Sequence, residues 1–426
     1  MTNNAIFNMY FGIIDDPRCE VNVTHRLVDI LKLVMIAVLC GMDELDKIID
    51  YGNNKKDFLK REFNIGSIPS KATLTRVIAM LNPKILSLSI VCILKILIKN
   101  ETKQIMIDGK AIRSTDAIKT IETMMNIVTA YTDTGIALGQ IVVDSKSNEI
   151  PAVRELIELL DVKGAIITAD AMHCQRETAE TIINNKGEYV LQLKSNQRNF
   201  YQDVYAMFDD KYMDIADKDS EYETYTTIEK SHGRIEKRTC YVLNDIKYFT
   251  NYLLEWKGLK KIFAVKREVE KDEKKTTEVS CYLSSKNTTA ENLLSYTRKH
   301  WQIESMHHIL DVTYDEDRCK LLTQKAQENI NIFRKMGISM HKNYLNGKKQ
   351  TIKSSMFNCL LNDNHLLEIL QFCNNWWNDP EKKIVKKYNY VSCNCAWFLY
   401  IILHNTHILK FVFLHYLLLF LFHVLH

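Results

Sequence analysis

The sequence predicts an α/β protein whose centre is a mixed β-sheet, preceded by a small all-α region and interrupted by a β-rich insertion. Short apolar runs of strand length alternate with amphipathic stretches of helical period between residues 101 and 208. Two of these runs, Gln104–Asp108 and Ile166–Asp170, end in an aspartate. Up to about residue 100 the periodicity is helical only.

The length of 426 residues, 25% of them charged and 46% hydrophobic, gives room for one large core and smaller flanking parts. The expected division is 1–100 helical, 101–375 central with the insertion at about 215–286, and an atypical hydrophobic tail at 376–426. A net charge of +4, from 56 basic against 52 acidic residues, is too slight to announce nucleic acid, so any DNA contact must come from local patches. The 11 Cys include no CxxC pair and the start, Met1-Thr2-Asn3-Asn4, lacks the apolar run of a secretory leader, so a reducing cytoplasm and free thiols are expected.

In order, Arg26–Met42 and Leu45–Phe58 read as helices, and Ser70 is placed to cap a third that runs to about Leu81. The third helix bears Thr73, Thr75 and Arg76, which suit either a DNA-docking face or plain solvation. Pro83 closes this part, and Ile85–Ile98 is a connecting helix. Strands follow at Gln104–Lys110, Asn126–Tyr131 and Ile136–Val143, the last two joined by the turn Asp133-Thr134-Gly135. Then come a helix (Ala152–Leu160), a strand (Ala165–Ala169), a helix (Gln175–Asn185) and a strand (Tyr189–Leu193).

This order is that of an RNase H-like fold if the first and fourth strands are neighbours, for Asp108 and Asp170 then approach each other. An Asp after a strand is also a common helix N-cap, so a further acid is needed to favour chemistry. Tyr222–Ile228, Lys237–Leu243, Ile262–Val269 and Thr277–Leu283 read as strands of the insertion. Beyond it, Thr288 and Thr289 cap a helix expected to reach Val312, with His300, Glu304, His308 and Asp311 on one face and Ile303, Met306 and Leu310 on the apolar one. Glu304 can then reach back toward the two aspartates. Carboxylates are hard oxygen ligands and favour Mg²⁺ or Mn²⁺ over zinc.

The residues resemble the DDE-class insertion-sequence transposases, in particular the H-repeat-associated group. The matching stretches are Asp16-Pro17-Arg18, Ile68-Pro69-Ser70, Ile107-Asp108-Gly109-Lys110, Ala169-Asp170-Ala171-Met172 with Cys174-Gln175, and Tyr189-Val190-Leu191 with Lys194-Ser195-Asn196-Gln197. They continue with His232-Gly233-Arg234-Ile235-Glu236, His300-Trp301-Gln302-Ile303-Glu304, Leu310-Asp311-Val312 and Glu316-Asp317, in family order over roughly residues 10 to 375. The resemblance implies that Asp108, Asp170 and Glu304 are the catalytic acids, holding two Mg²⁺ or Mn²⁺ ions. It implies DNA contacts from Lys110, Arg113, Lys194, Asn196, Gln197, His232, Arg234, Arg298, His300, Trp301 and Arg318.

The partners so implied are double-stranded DNA, as mobile-element ends and as target, and a second copy of the chain in a homodimer. The expected location is the cytoplasm, on the nucleoid. Related transposases bear a Tyr, Arg, Glu, Lys signature on the catalytic helix; here His300 stands four before Glu304 and Asp311 seven after it.

Lys320–Lys353 holds eight basic residues against one acid, Glu328, and reads as a phosphate-tracking face or a solvated helix. Leu409–Leu425 is nearly all apolar but short for a membrane span, and reads instead as an extension outside the family pattern. The functional expectation is a transposase that cuts at terminal inverted repeats and joins them to a target; the alternative is a degenerate copy that only binds DNA.

Overall fold

The computed structural model describes residues 3–19, 21, 23–97, 103–112, 125–143, 149–209, 221–231, 233–272, 274–319, 321 and 323–372. Arg113, His232, Lys320 and the tail from 376 lie outside them. Helices α1 (Asn3–Phe11), α2 (Leu27–Leu39), α3 (Leu45–Asn54), α4 (Lys56–Phe63), α5 (Lys71–Met80) and α6 (Pro83–Leu97) precede the first strand. From Ile30 to Leu39 every residue of α2 is buried, as an almost uninterrupted apolar helix must be. Its interior Lys32 is satisfied by donating 2.7 Å to the Phe63 carbonyl and 3.0 Å to Asn4 Oδ1, beside Asp29 at 2.9 Å. Ser70 does cap α5: its Oγ accepts from the Thr73 amide at 3.2 Å.

The strands β1 (Gln104–Ile112), β2 (Met125–Thr132), β3 (Ala137–Val143), β4 (Ile166–Ala169) and β5 (Glu188–Leu193) form one sheet with β6 (Tyr222–Ser231), β7 (Arg234–Leu243), β8 (Lys261–Lys271) and β9 (Lys274–Ser284). The order is β3-β2-β1-β4-β5-β9-β8-β7-β6. β1, β4 and β5 run parallel and the other pairs antiparallel, the mixed RNase H-like sheet that the alternation of apolar runs predicts. The insertion strands do not stand apart from it; β9 pairs directly with β5.

Helices α7 (Glu149–Leu159), α8 (Arg176–Asn184), α9 (Arg198–Met207) and α10 (Thr250–Glu255) connect these strands, and α11 (Ala290–His300), α12 (Gln302–Val312), α13 (Gln324–Tyr344), α14 (Ile352–Leu361) and α15 (Asp363–Phe372) follow. Successive side chains of a strand face opposite ways, and β3 shows what covers each face. A Cβ on Gly139 would touch Leu156 of α7, whereas Gln140 accepts from Lys335 of α13. α13 is buried along most of its length and packs on α2, α5 and α6 as well as on β3, so the N-terminal helices and the sheet share it.

Two expectations need correction. The single helix from Thr289 to Val312 is two helices, broken at Trp301, where ψ is −7° and the amide bonds back to the Arg298 carbonyl in a tighter, three-residue step. The basic run Lys320–Lys353 faces outward only in part: Lys325, Lys348, Lys349 and Lys353 are exposed, but the basic residues in the body of α13 are not. Arg334 is buried in a 2.7 Å ion pair with Asp43, and Lys335 is buried donating 2.7 Å each to Thr129 and Gln140. Lys342 lies over the Tyr131 ring. Among the described residues no single helix is long and apolar enough to cross a membrane.

Candidate active site

β1 and β4 are paired in parallel with Ile107 opposite Ala169, so the next residue of each chain path is an aspartate. Asp108 and Asp170 are thereby delivered side by side where that pairing stops. Asp108 Oδ1 accepts the Gly109 amide at 2.8 Å, and Asp108 Oδ2 lies 3.4 Å from His307 Nδ1 on α12. Gly109 leaves room for the Glu149 carboxylate on the opposite face of the sheet: a Cβ there would come within 2.6 Å of it, and that side chain would have to move.

The Asp170 carboxylate makes no capping hydrogen bond to the turn Ala171–His173, and α8 takes Gln175 as its N-cap. The capping alternative therefore does not describe this side chain. Instead Asp170 Oδ1 lies 3.3 Å from His300 Nε2, whose Nδ1 is 3.0 Å from Thr168 Oγ1. Gln104 donates 3.1 Å to that hydroxyl and 2.8 Å to the Tyr296 carbonyl, stitching α11 to β1 and β4. The hydrogen bond from His300 holds Asp170 below the usual carboxylate range, against the opposing effect of burial.

Glu304 sits in the first turn of α12, where the helix dipole favours a carboxylate. Its carboxyl is nevertheless pushed up, first by burial and then by the charges of Asp108 and Asp170. The three acids thus share one electrostatic neighbourhood. Among the described residues no group of three His, Cys, Asp or Glu side chains is spaced to hold a metal ion as placed.

The expected DNA-contact residues divide. Lys194 is exposed and near enough to Asp170 to lower its pKa. Trp301 stands 62% exposed at the break between α11 and α12, beside His300 and three residues before Glu304. Arg318 is exposed and leans on Asp315 at 3.6 Å. Arg298 pairs with Glu229 at 2.8 Å, and Arg234 with Glu236 at 3.5 Å, both along the insertion.

Asn196 and Gln197 are used internally: they donate to the carbonyls of Ala171 and Cys174 and fix the turn that follows Asp170. Lys110 also points inward, to Asp311 and Glu316. Arg113 and His232 lie outside the described residues.

Sequence reasoning missed His173 and His307. His173 is buried after Asp170, and burial lowers its pKa while Asp170 and Asp108 oppose the shift. His307 follows Glu304 by three residues, one helical step away, and that spacing was the available signal.

Fold and site together define an RNase H-like protein with a carboxylate cluster at its strand ends. The family described as "Transposase DDE domain" matches residues 99–340, and the one described as "DDE_Tnp_1-associated" matches residues 9–92. YncI of Escherichia coli O157:H7 is 33% identical over 379 residues, covering 85% of this chain and 94% of its own. The H repeat-associated YhhI of Escherichia coli K12 is 33% identical over 372 residues, covering 85% and 96%. Both carry transposase names. A piggyBac transposase synaptic complex with hairpin DNA aligns with a TM-score of 0.40 at 13% identity, covering 91% of this chain and 84% of that one. The chain belongs to the DDE transposase family, in its H-repeat-associated branch.

Proposed function

We propose that this transposase binds double-stranded DNA at the ends of its own mobile element and catalyses strand cleavage and strand transfer there, with Asp108, Asp170 and Glu304 as the reactive-centre acids. The observation that carries the reading is the parallel pairing of β1 and β4, which delivers Asp108 and Asp170 side by side and near enough to Glu304 for their charges to add to burial in raising the pKa of its carboxyl. A cluster that destabilises itself in this way fits a bound cation, and an all-oxygen donor set fits Mg²⁺ or Mn²⁺. Two such ions, when bound, would activate the attacking water or DNA 3′-hydroxyl and stabilise the leaving oxygen.

The chain's own residues supply the rest. His300 orients Asp170, and His307 stands against Asp108. Lys194 and Arg318 offer exposed cations for phosphates, and Trp301 an exposed aromatic face for a base. Joining two ends requires a paired assembly, for which a homodimer on the nucleoid is the simplest form. The test is cleavage of a labelled duplex spanning the mobile element's end, in Mg²⁺, by the wild type and by Asp108→Ala. Cutting that the variant loses supports the reading. A wild type that binds the duplex and never cuts it refutes the reading in favour of a DNA-binding relic.

A further inference from the structure

Lys110 and Asp108 are two residues apart on β1 and so project from the same face of the sheet. Glu304 and Asp311 are seven residues apart on α12, two turns, and lie along one side of that helix. The Lys110 ammonium joins these two surfaces. It pairs with Asp311, in the last turn of α12, and with Glu316, in the turn that follows the helix. Glu316 is only 1% exposed and also accepts from Asn331 Nδ2 of α13. One cation thus ties the strand of Asp108 to the far end of the helix of Glu304 and to the central helix.

A lysine already enclosed by two carboxylates is a poor phosphate ligand, because the cluster is net negative. The carboxylates of Asp311 and Glu316 instead hold the ammonium in place. A helix behaves as a rod over two turns, about 10 Å. Fixing its C-terminal turn therefore sets where its first turn, and Glu304, stand relative to β1.

We propose that Lys110 is a positioning residue that, with Asp311 and Glu316, holds α12 so that Glu304 faces Asp108, and that it makes no DNA contact. The proposal rests on the reading of Asp108 and Glu304 as partners at one reactive centre. It gives Asp311, seven residues past Glu304, a role that helical spacing alone did not.

The experiment uses the full chain as wild type, Lys110→Met, Lys110→Arg and Asp311→Asn. Three readouts are compared: amide hydrogen exchange over residues 302–312, duplex affinity against salt without metal, and duplex cleavage in Mg²⁺. Asp311→Asn is the variant expected to fold in every case, since it leaves Lys110 with Glu316 and its side chain is 39% exposed. The expected result is faster exchange across 302–312 and cleavage slower by roughly 10–100-fold. Affinity and salt slope should equal those of the wild type, and Lys110→Arg should restore part of the cleavage.

A salt slope reduced by about one in Lys110→Met, with exchange in α12 unchanged, would make Lys110 a phosphate contact and overturn the proposal. Unchanged exchange and cleavage in Asp311→Asn would overturn it as well. If the wild type fails to cut, the cleavage reading falls, and the brace is then upheld by faster exchange in Asp311→Asn or refuted by its absence.

Discussion

Around α13 the buried basic groups Arg334 and Lys335 each meet a polar partner, whereas at the ends of β1 and β4 carboxylates gather against one another. Arg334 has Asp43, and Lys335 has the Thr129 hydroxyl and the Gln140 carbonyl. At the other region Asp108, Asp170 and Glu304 have two histidines among them, and Glu304 takes the residual repulsion. Completed charges hold a fold together, and breaking one leaves the other buried and unpaired. An incomplete cluster of like charge costs stability and is retained where something from outside completes it.

Substitutions sharpen this contrast. Glu304→Gln should lower cleavage by at least about a thousandfold, on the scale of 4 kcal/mol in the barrier, while slightly raising the thermal midpoint. The rise follows from removing a carboxylate whose charge its neighbours oppose, and a fall in midpoint would break the contrast. Asp43→Ala is the opposite case. It strands the buried Arg334 and should destabilise the fold by about 3–5 kcal/mol in denaturant melts, with activity lost only through unfolding. His307→Ala should lower cleavage by roughly 10–100-fold with little change in melting, as expected when a group that orients an acid is removed.

The smallest effect is in pH dependence. Burial lowers Lys335 from 10.5 to about 7, so between those values the unfolded chain holds a proton that the folded chain has shed. Stability must then rise with pH across that window. The gap in stability between wild type and Lys335→Met, measured in urea from pH 7 to 9, should move in favour of the wild type. A gap independent of pH would mean that Lys335 stays charged when folded.

The strands were legible because strand-length apolar runs end in polar residues, whereas the parallel pairing of β1 with β4 was a condition that only the fold supplies. The two aspartates were legible for the same reason as the strands, and Glu304 by its helical spacing from His300 and Asp311. The break at Trp301 was not, because Leu293 and Leu294 before it and Ile303, Met306 and Leu310 after it all sit in helical patterns and no Pro or Gly marks the junction. The use of Lys110 was hidden by distance, since its partners lie 201 and 206 residues away. Arg334 and Lys335 looked like a solvated or DNA-facing pair because only the fold brings Asp43, Thr129 and Gln140 to them. A charge in sequence carries no mark of its partner.

The central claim is that Asp108, Asp170 and Glu304 form one cation-binding cluster, and Mn²⁺ titration followed by electron paramagnetic resonance addresses it without DNA. The wild type should take up Mn²⁺, and both Asp170→Asn and Glu304→Gln should bind it at least about tenfold more weakly. Equal uptake by the wild type and both variants would contradict the claim.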